Sequence, residues 1–220
     1  RRSAEEARRL VAELERAGSN AVALAADLAR EDETRELIGR AGAALGPVRC
    51  LVNNASVFER DSAATATRAS WDAHLETNLR APFVLTQAFA AALPRAANGN
   101  VVNVLDERVW NLTPYFVSYT VSKAGLWALT RTMALALAPR IRVNAIGPGP
   151  TLPSPRQSRA EFERQCRRTP LRRGTTPDEI AAAVRFILDS PAMTGQMIAL
   201  DGGQHLGWSH PIGDDGPEIE

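Results

Sequence analysis

V-V-N-V-L-D-E-R-V-W-N-L-T-P-Y-F-V-S-Y-T-V-S-K, residues 101–123, is the stretch on which the fold turns. Its opening apolar run reads as a buried strand over 101–105, Asp106 then opens a polar loop, and a helix follows that carries Tyr119 and Lys123. The i, i+4 spacing places a phenol and an ammonium on one helix face. Lys123 is the single lysine among 26 basic residues. Arginine and lysine differ in geometry, hydration and titration, so one retained ammonium in an arginine-rich chain marks this helix as a candidate working site.

The same alternation extends in both directions. Upstream, 3–17 is an amphipathic helix with Ser3 as N-cap and Glu6 three residues on, closed by Gly18. Residues 21–26 read as a short apolar strand ending at Asp27-Leu28, 31–45 as a helix stopped by Gly46-Pro47, and 48–52 as a strand ending in Asn53-Asn54-Ala55. A long helix is expected over 70–93. Downstream, the Tyr119 helix should run to Ala138, followed by a strand over 141–146 that ends in Gly147-Pro148-Gly149-Pro150. Residues 151–175 turn polar and rich in Pro, Ser and Arg, with a short helix over 159–167, and read as a flap over the site. A helix over 177–188 capped by Thr176 and a strand over 197–200 complete the pattern. Uniformly apolar strands alternating with long helices specify a doubly wound α/β domain with a parallel sheet, Rossmann-like, over 1–208; 209–220 reads as a tail.

Composition narrows the function. A net charge of +1 with both signs interspersed leaves no nucleic-acid footprint and no polybasic membrane patch. No apolar run reaches the ~18 residues of a membrane span, and no signal peptide is visible, so the chain reads as soluble and cytoplasmic. Cys50 and Cys166 lack metal-ligand spacing and are expected to be reduced and structural, and the three histidines carry no metal pattern. A small-molecule partner fits best.

In an open parallel sheet the ligand lies beyond the carboxyl ends of the strands, and Asp27, Asn53-Asn54-Ala55-Ser56, Asp106 and Gly147-Pro148-Gly149 all fall at such ends. A cation about 4 Å from the Tyr119 hydroxyl would contribute roughly 4 kcal/mol at an effective dielectric of about 20, on the order of three pKa units, enough to draw a phenol of pKa ~10 toward neutrality. Tyr119 is therefore expected to be lowered by Lys123 and to serve as a general acid/base.

Asn53-Asn54-Ala55 after a strand, Asn78 within the long helix, the Tyr119/Lys123 pair and Pro148-Gly149 after the next strand together resemble the short-chain dehydrogenase/reductases. The resemblance covers the chain from Arg1 to Trp208. It implies that Asp27, with Leu28, meets the adenine and that Asn53, Asn54, Ala55, Pro148 and Gly149 support a nicotinamide cofactor. It also implies that Lys123 holds the cofactor ribose and that Asn78 anchors a proton-relaying water. Most members carry a serine thirteen residues before the tyrosine; here that position is Asp106. An ionised carboxylate there repels a developing oxyanion, raises the tyrosine pKa and suits a substrate protonated on nitrogen. Asp106 with Phe58 resembles the pteridine reductase branch, which includes dihydromonapterin reductases. That resemblance makes Phe58 the stacking face, Ser56 a polar contact, and Asp106 with Tyr119 the proton source. Arg2-Ser3 resembles the same branch, in which an arginine and a hydroxyl favour the 2′-phosphate of NADPH.

The expected activity is NADPH-dependent reduction of a 7,8-dihydropterin, hydride to C6 and proton to N5. A reductase of an oxoacyl thioester, sugar or quinone and a non-catalytic cofactor-binding protein stay open. The family's glycine-rich loop does not precede the first helix, so roughly the first 30 to 40 residues, with a central strand, are expected to be absent from the chain. The family also implies a homotetramer.

Overall fold

The computed structural model describes residues 4–207. Four strands, β1 (Cys50–Asn53), β2 (Gly99–Val104), β3 (Ile141–Pro148) and β4 (Met197–Leu200), form one parallel sheet in the order β1-β2-β3-β4. Each strand is followed by a helical crossover or a loop at its carboxyl end, so the polar strand ends lie along one edge.

Helices cover both faces, as buried strands require. On one face α2 (Glu31–Leu45), α4 (Ala81–Ala92) and α5 (Val117–Leu137) pack on β2 and β3: Ile38, Leu85, Phe89, Leu93, Val101, Ala134, Ile141 and Val143 form one core cluster. On the other, α7 (Pro177–Leu188) presses Ala183 and Ile187 onto Val102 and Ile146. The alternation of Val101 and Val102 between clusters is the period-2 geometry of a strand buried on both sides. Thr176 caps α7 in a reciprocal capping box with Glu179, as its sequence context suggests. Ser158 and Glu161 do the same for α6 (Arg159–Arg168).

Three expectations need correction. Residues 21–26 are not a strand: a strand exists only through hydrogen bonds to a neighbour, and no described strand lies beside them. The long helix over 70–93 is interrupted. It comprises α3 (Arg68–Leu75), a π-helical segment (Glu76–Arg80) and α4, because Asn78 is pulled out of the regular ladder by partners described below. Cys50, expected to be buried, is exposed on edge strand β1. The helix at the start of the described chain, α1 (Ala4–Arg16), buries no residue, and its Ser3 cap lies outside the described residues. No described helix is long and apolar enough to cross a membrane.

Phe89 sits at the centre of the larger cluster with no exposed surface, and a Cβ on Gly99 would stand 2.7 Å from its Cζ. The ring fits only because β2 begins with glycine. Phe89→Ala is expected to cost about 3–5 kcal/mol and Gly99→Ala about 1–3 kcal/mol, read as lowered urea midpoints with unchanged m-values.

Candidate active site

The site is assembled where β1, β2, β3 and β4 end. β2 delivers Asp106, whose backbone is extended and whose carboxylate caps a single 3₁₀ turn, Glu107–Val109. Asp106 Oδ1 accepts from the Arg108 backbone N–H at 2.9 Å and from Arg108 Nε at 3.0 Å, while Oδ2 accepts from the Tyr119 hydroxyl at 2.8 Å. The Arg108 side chain is buried, and its guanidinium carbon lies 5.3–5.5 Å from the ring centroids of Phe58, Phe116 and Tyr119. Charge and ring quadrupoles thus hold the guanidinium from several sides.

Phe58 comes from the loop after β1. Its ring stacks on Phe116 with centroids 4.5 Å apart and planes 12° from parallel, and meets the Tyr119 ring edge-on at 4.7 Å. Phe116 reaches that position because it adopts a left-handed conformation, φ 57° and ψ 47°, immediately before α5. A non-glycine residue there costs about 1–2 kcal/mol. Arg156 closes the arrangement from residues 151–175. It donates from Nη1 to the Glu59 carboxylate and from Nη2 to the Phe58 carbonyl, both at 2.8 Å.

Lys123 is nearly fully buried and donates to the Val104 carbonyl at 2.8 Å. Its Nζ lies 5.7 Å from the Tyr119 ring centroid. Burial draws the ammonium down to about 8, against an opposing pull from Asp106. Burial also pushes the Tyr119 phenol well above its ordinary range, and the Asp106 charge adds to the effect while Arg108 opposes it. The expectation that Lys123 lowers Tyr119 is corrected accordingly: the hydroxyl bonds a carboxylate, and the lysine bonds a main-chain carbonyl. The Tyr119 hydroxyl donates its hydrogen bond to Asp106, and both burial and that carboxylate favour its protonated form.

Asn78 joins the site to its supports. Its Oδ1 accepts from the Val57 N–H at 2.8 Å and from Ser56 Oγ at 3.1 Å; its Nδ2 donates to the Val57 carbonyl at 2.9 Å and to Ser122 Oγ at 3.0 Å. With both side-chain atoms doubly engaged, any water held by Asn78 would have to meet its main chain. Asn53 Nδ2 donates to Asn103 Oδ1 at 2.8 Å, and Asn103 passes the chain on to Thr130. Asn53 Oδ1 is buried without a partner among the described residues. Asn54 and Ala55 are exposed beside it.

A cavity of about 400 Å³ opens from this constellation, lined by Phe58, Asp106, Pro148, Gly149 and the inner side of residues 150–165. Pro148 and Gly149 therefore border the same space as Asp106, whose carboxylate the Tyr119 hydroxyl bonds from behind the lining. A Cβ on Gly149 would meet Asp201 Cα at 2.7 Å, so only glycine allows this approach of β3 and β4. Asp27 lies apart, exposed at the start of the turn into α2, where its Oδ1 accepts from the Ala29 N–H; Leu28 packs on the core beside it. Arg2 and Ser3 lie outside the described residues.

Sequence reasoning missed a buried polar cluster behind Tyr119. Ser118 Oγ donates to Asp61 and lies 2.7 Å from His74 Nδ1, His74 Nε2 accepts from the Glu59 N–H at 3.0 Å, and the Asp61 carbonyl accepts from the Phe116 N–H at 2.8 Å. No motif announces these residues, which come from three separate stretches.

Comparison with known proteins places the geometry in a family. The family model described as Enoyl-(Acyl carrier protein) reductase matches residues 2–205. A solved structure of FolM Alternative dihydrofolate reductase 1 from Brucella suis, in complex with NADP, shares 48% identity, with a TM-score of 0.92 over 96% of this chain and 84% of that one. Among curated proteins, the probable galactose dehydrogenase GalD of Rhizobium meliloti is 36% identical over 81% of this chain and 72% of its own. The 3-oxoacyl-[acyl-carrier-protein] reductase FabG of Thermotoga maritima is 33% identical over 78% of this chain and 72% of its own. With its parallel sheet and the Tyr119–Lys123 helix beside the strand ends, the chain belongs to the short-chain dehydrogenase/reductase superfamily of oxidoreductases.

Proposed function

We propose that the protein is an NADPH-dependent reductase of a dihydropterin. The observation that carries this reading is the hydrogen bond from the Tyr119 hydroxyl to the Asp106 carboxylate, placed at a cavity that Phe58 also lines. A carboxylate in that place disfavours a developing oxyanion, whereas a ring nitrogen that must gain a proton is served by it. Phe58 offers a flat partner for a flat substrate. The similarity to the Brucella structure supports both the cofactor and the substrate class.

The residues fit a nicotinamide cofactor. Asn53 Oδ1 is a buried acceptor without a partner among the described residues, and Lys123 supplies an ammonium at the same strand ends. Asn53, Asn54, Ala55, Lys123, Pro148 and Gly149 would hold the nicotinamide half, Asp27 and Leu28 the adenine, and Arg2 with Ser3 the 2′-phosphate. When bound, NADPH supplies a hydride, which the reading directs to C6 of the pterin. Tyr119 carries the proton destined for N5. Because burial and Asp106 hold the phenol far above neutrality, Tyr119 keeps that proton until the substrate draws it, and Asp106 aligns the hydroxyl. Arg108 fixes the carboxylate from its far oxygen. Ser56, tied to Asn78, sets the loop that presents Phe58.

A second reading follows from the relatives named as oxoacyl reductases: the same acid could serve a thioester ketone. Steady-state NADPH oxidation with dihydromonapterin, dihydrobiopterin and an acetoacetyl thioester separates the two, and turnover of the thioester alone would sink the pterin reading. Tyr119→Phe is expected to lower kcat about 10²- to 10⁴-fold. Asp106→Ser should reduce pterin turnover on the order of 10²-fold while improving the ratio of thioester to pterin activity. The pH profile of kcat/KM should decline as pH rises through about 8, where Lys123 loses its charge. A profile level to pH 9.5, well above that value, would contradict the role given to its ammonium.

A further inference from the structure

Beyond the groups already placed, one cavity-lining side chain carries a buried acceptor that nothing described satisfies. Gln204 lines the cavity from the short 3₁₀ turn that follows β4, Gln204–Leu206. Its Oε1 is buried and has no hydrogen-bond partner among the described residues. The other amides on the wall differ in this respect: Gln157 Nε2 donates to Gln165 Oε1 at 2.9 Å, and Gln157 Oε1 accepts from the Ser154 N–H. A buried acceptor left unsatisfied costs about 1–3 kcal/mol, so its retention on a cavity wall calls for a donor that arrives from outside.

The support beneath Gln204 is rigid. Asp201 is buried, and its carboxylate accepts from the Gly203 N–H at 3.0 Å, the His205 N–H at 2.7 Å and the His205 ring at 2.7 Å. Gly202 and Gly203 hold left-handed conformations, φ 65° and 86°, that bring the turn against residues 169–173, where a Cβ on Gly202 would stand 2.8 Å from the Arg173 carbonyl. Gln204 therefore projects from a turn anchored on both sides. An acceptor held this way loses little freedom on binding, and it discriminates against ligands that cannot satisfy it.

We infer that Gln204 is a specificity-determining residue whose side-chain carbonyl accepts a hydrogen bond from an N–H group of the substrate, in the cavity that Asp106 also lines. This rests on the reading of the substrate as a dihydropterin, whose rings carry ring N–H and amino donors besides the reacting N5. A simple oxoacyl chain presents no such donor near its ketone. An N–H donor within reach of Gln204 is thus the feature that separates the two substrate classes.

The test compares wild type, Gln204→Met and Gln204→Glu in the full chain. Gln204→Met keeps length and loses the acceptor; Gln204→Glu keeps an acceptor in the same place. Dihydropterin KM, and its dissociation constant measured by calorimetry with NADP⁺ present, should rise about tenfold in Gln204→Met and stay within about threefold of wild type in Gln204→Glu. The KM for NADPH and the melting temperature serve as controls that a merely structural role would move. An unchanged pterin KM in Gln204→Met, or equal losses in both variants, would overturn the inference and leave the pterin reading standing. A wild type that turns over no pterin would overturn both.

Discussion

The bond between Tyr119 and Asp106 is the constraint around which the rest of the site is arranged. A phenol facing a carboxylate inside a protein stays protonated, because burial and a neighbouring negative charge both penalise the phenolate. In the proposed reduction the phenol is therefore the side that gives the proton. The pairing also creates a liability, since a carboxylate out of water needs a counter-charge and satisfied lone pairs. Arg108 meets both needs, using its main-chain and its side-chain N–H on one carboxylate oxygen and leaving the other for the tyrosine. The arginine in turn lies among three aromatic rings, so the Phe58–Phe116 stack is part of the same electrostatic unit as the acid.

Positioning that unit requires the backbone to leave regular geometry twice. The π-helical segment at Asn78 lets one side chain grip the Val57 main chain and Ser122 together, linking the Phe58 loop to α5 at a residue between Tyr119 and Lys123. The left-handed Phe116 turns the chain so that its ring reaches Phe58 before α5 begins. Each departure costs free energy locally, and each is offset by hydrogen bonds and burial that a regular helix could not make there.

Much of this was legible in the sequence, and the limits have physical causes. Strands such as 101–105 and 141–146 are legible because burial on both faces demands continuous apolar runs, and the Tyr119/Lys123 spacing because helical geometry is local. Residues 21–26 carry the same apolar signal, but hydrogen-bond pairing is not encoded in one segment alone. The sequence around Asn78 suits an ordinary helix; only contacts 21 and 44 residues away shift its register. The direction of the Tyr119 shift follows from its burial and from the Asp106 charge at its hydroxyl, while Lys123 bonds the Val104 carbonyl instead; spacing on a helix reveals neither burial nor that partner.

The cluster behind Tyr119 shows how such distant contacts become a single support. The Glu59 N–H can donate only to an unprotonated nitrogen, so His74 Nε2 carries no proton and Nδ1 does. That proton points toward the Ser70 carbonyl and Ser118 Oγ, leaving the Ser118 hydroxyl to donate to Asp61. Asp61 then fixes α5 from its first turn, through the Ser118 N–H and, by its own carbonyl, the Phe116 N–H. Glu59 receives Arg156 on its other side, so the segment that walls the cavity is tied to the same frame. Replacing the Asp61 side chain would free the Ser118 N–H and hydroxyl, two residues beyond the strained Phe116, while the main-chain carbonyl would stay on the Phe116 N–H. The network's contribution is therefore orientational: it holds the aromatic stack and α5 in one register, which neither the helix nor the loop could set alone.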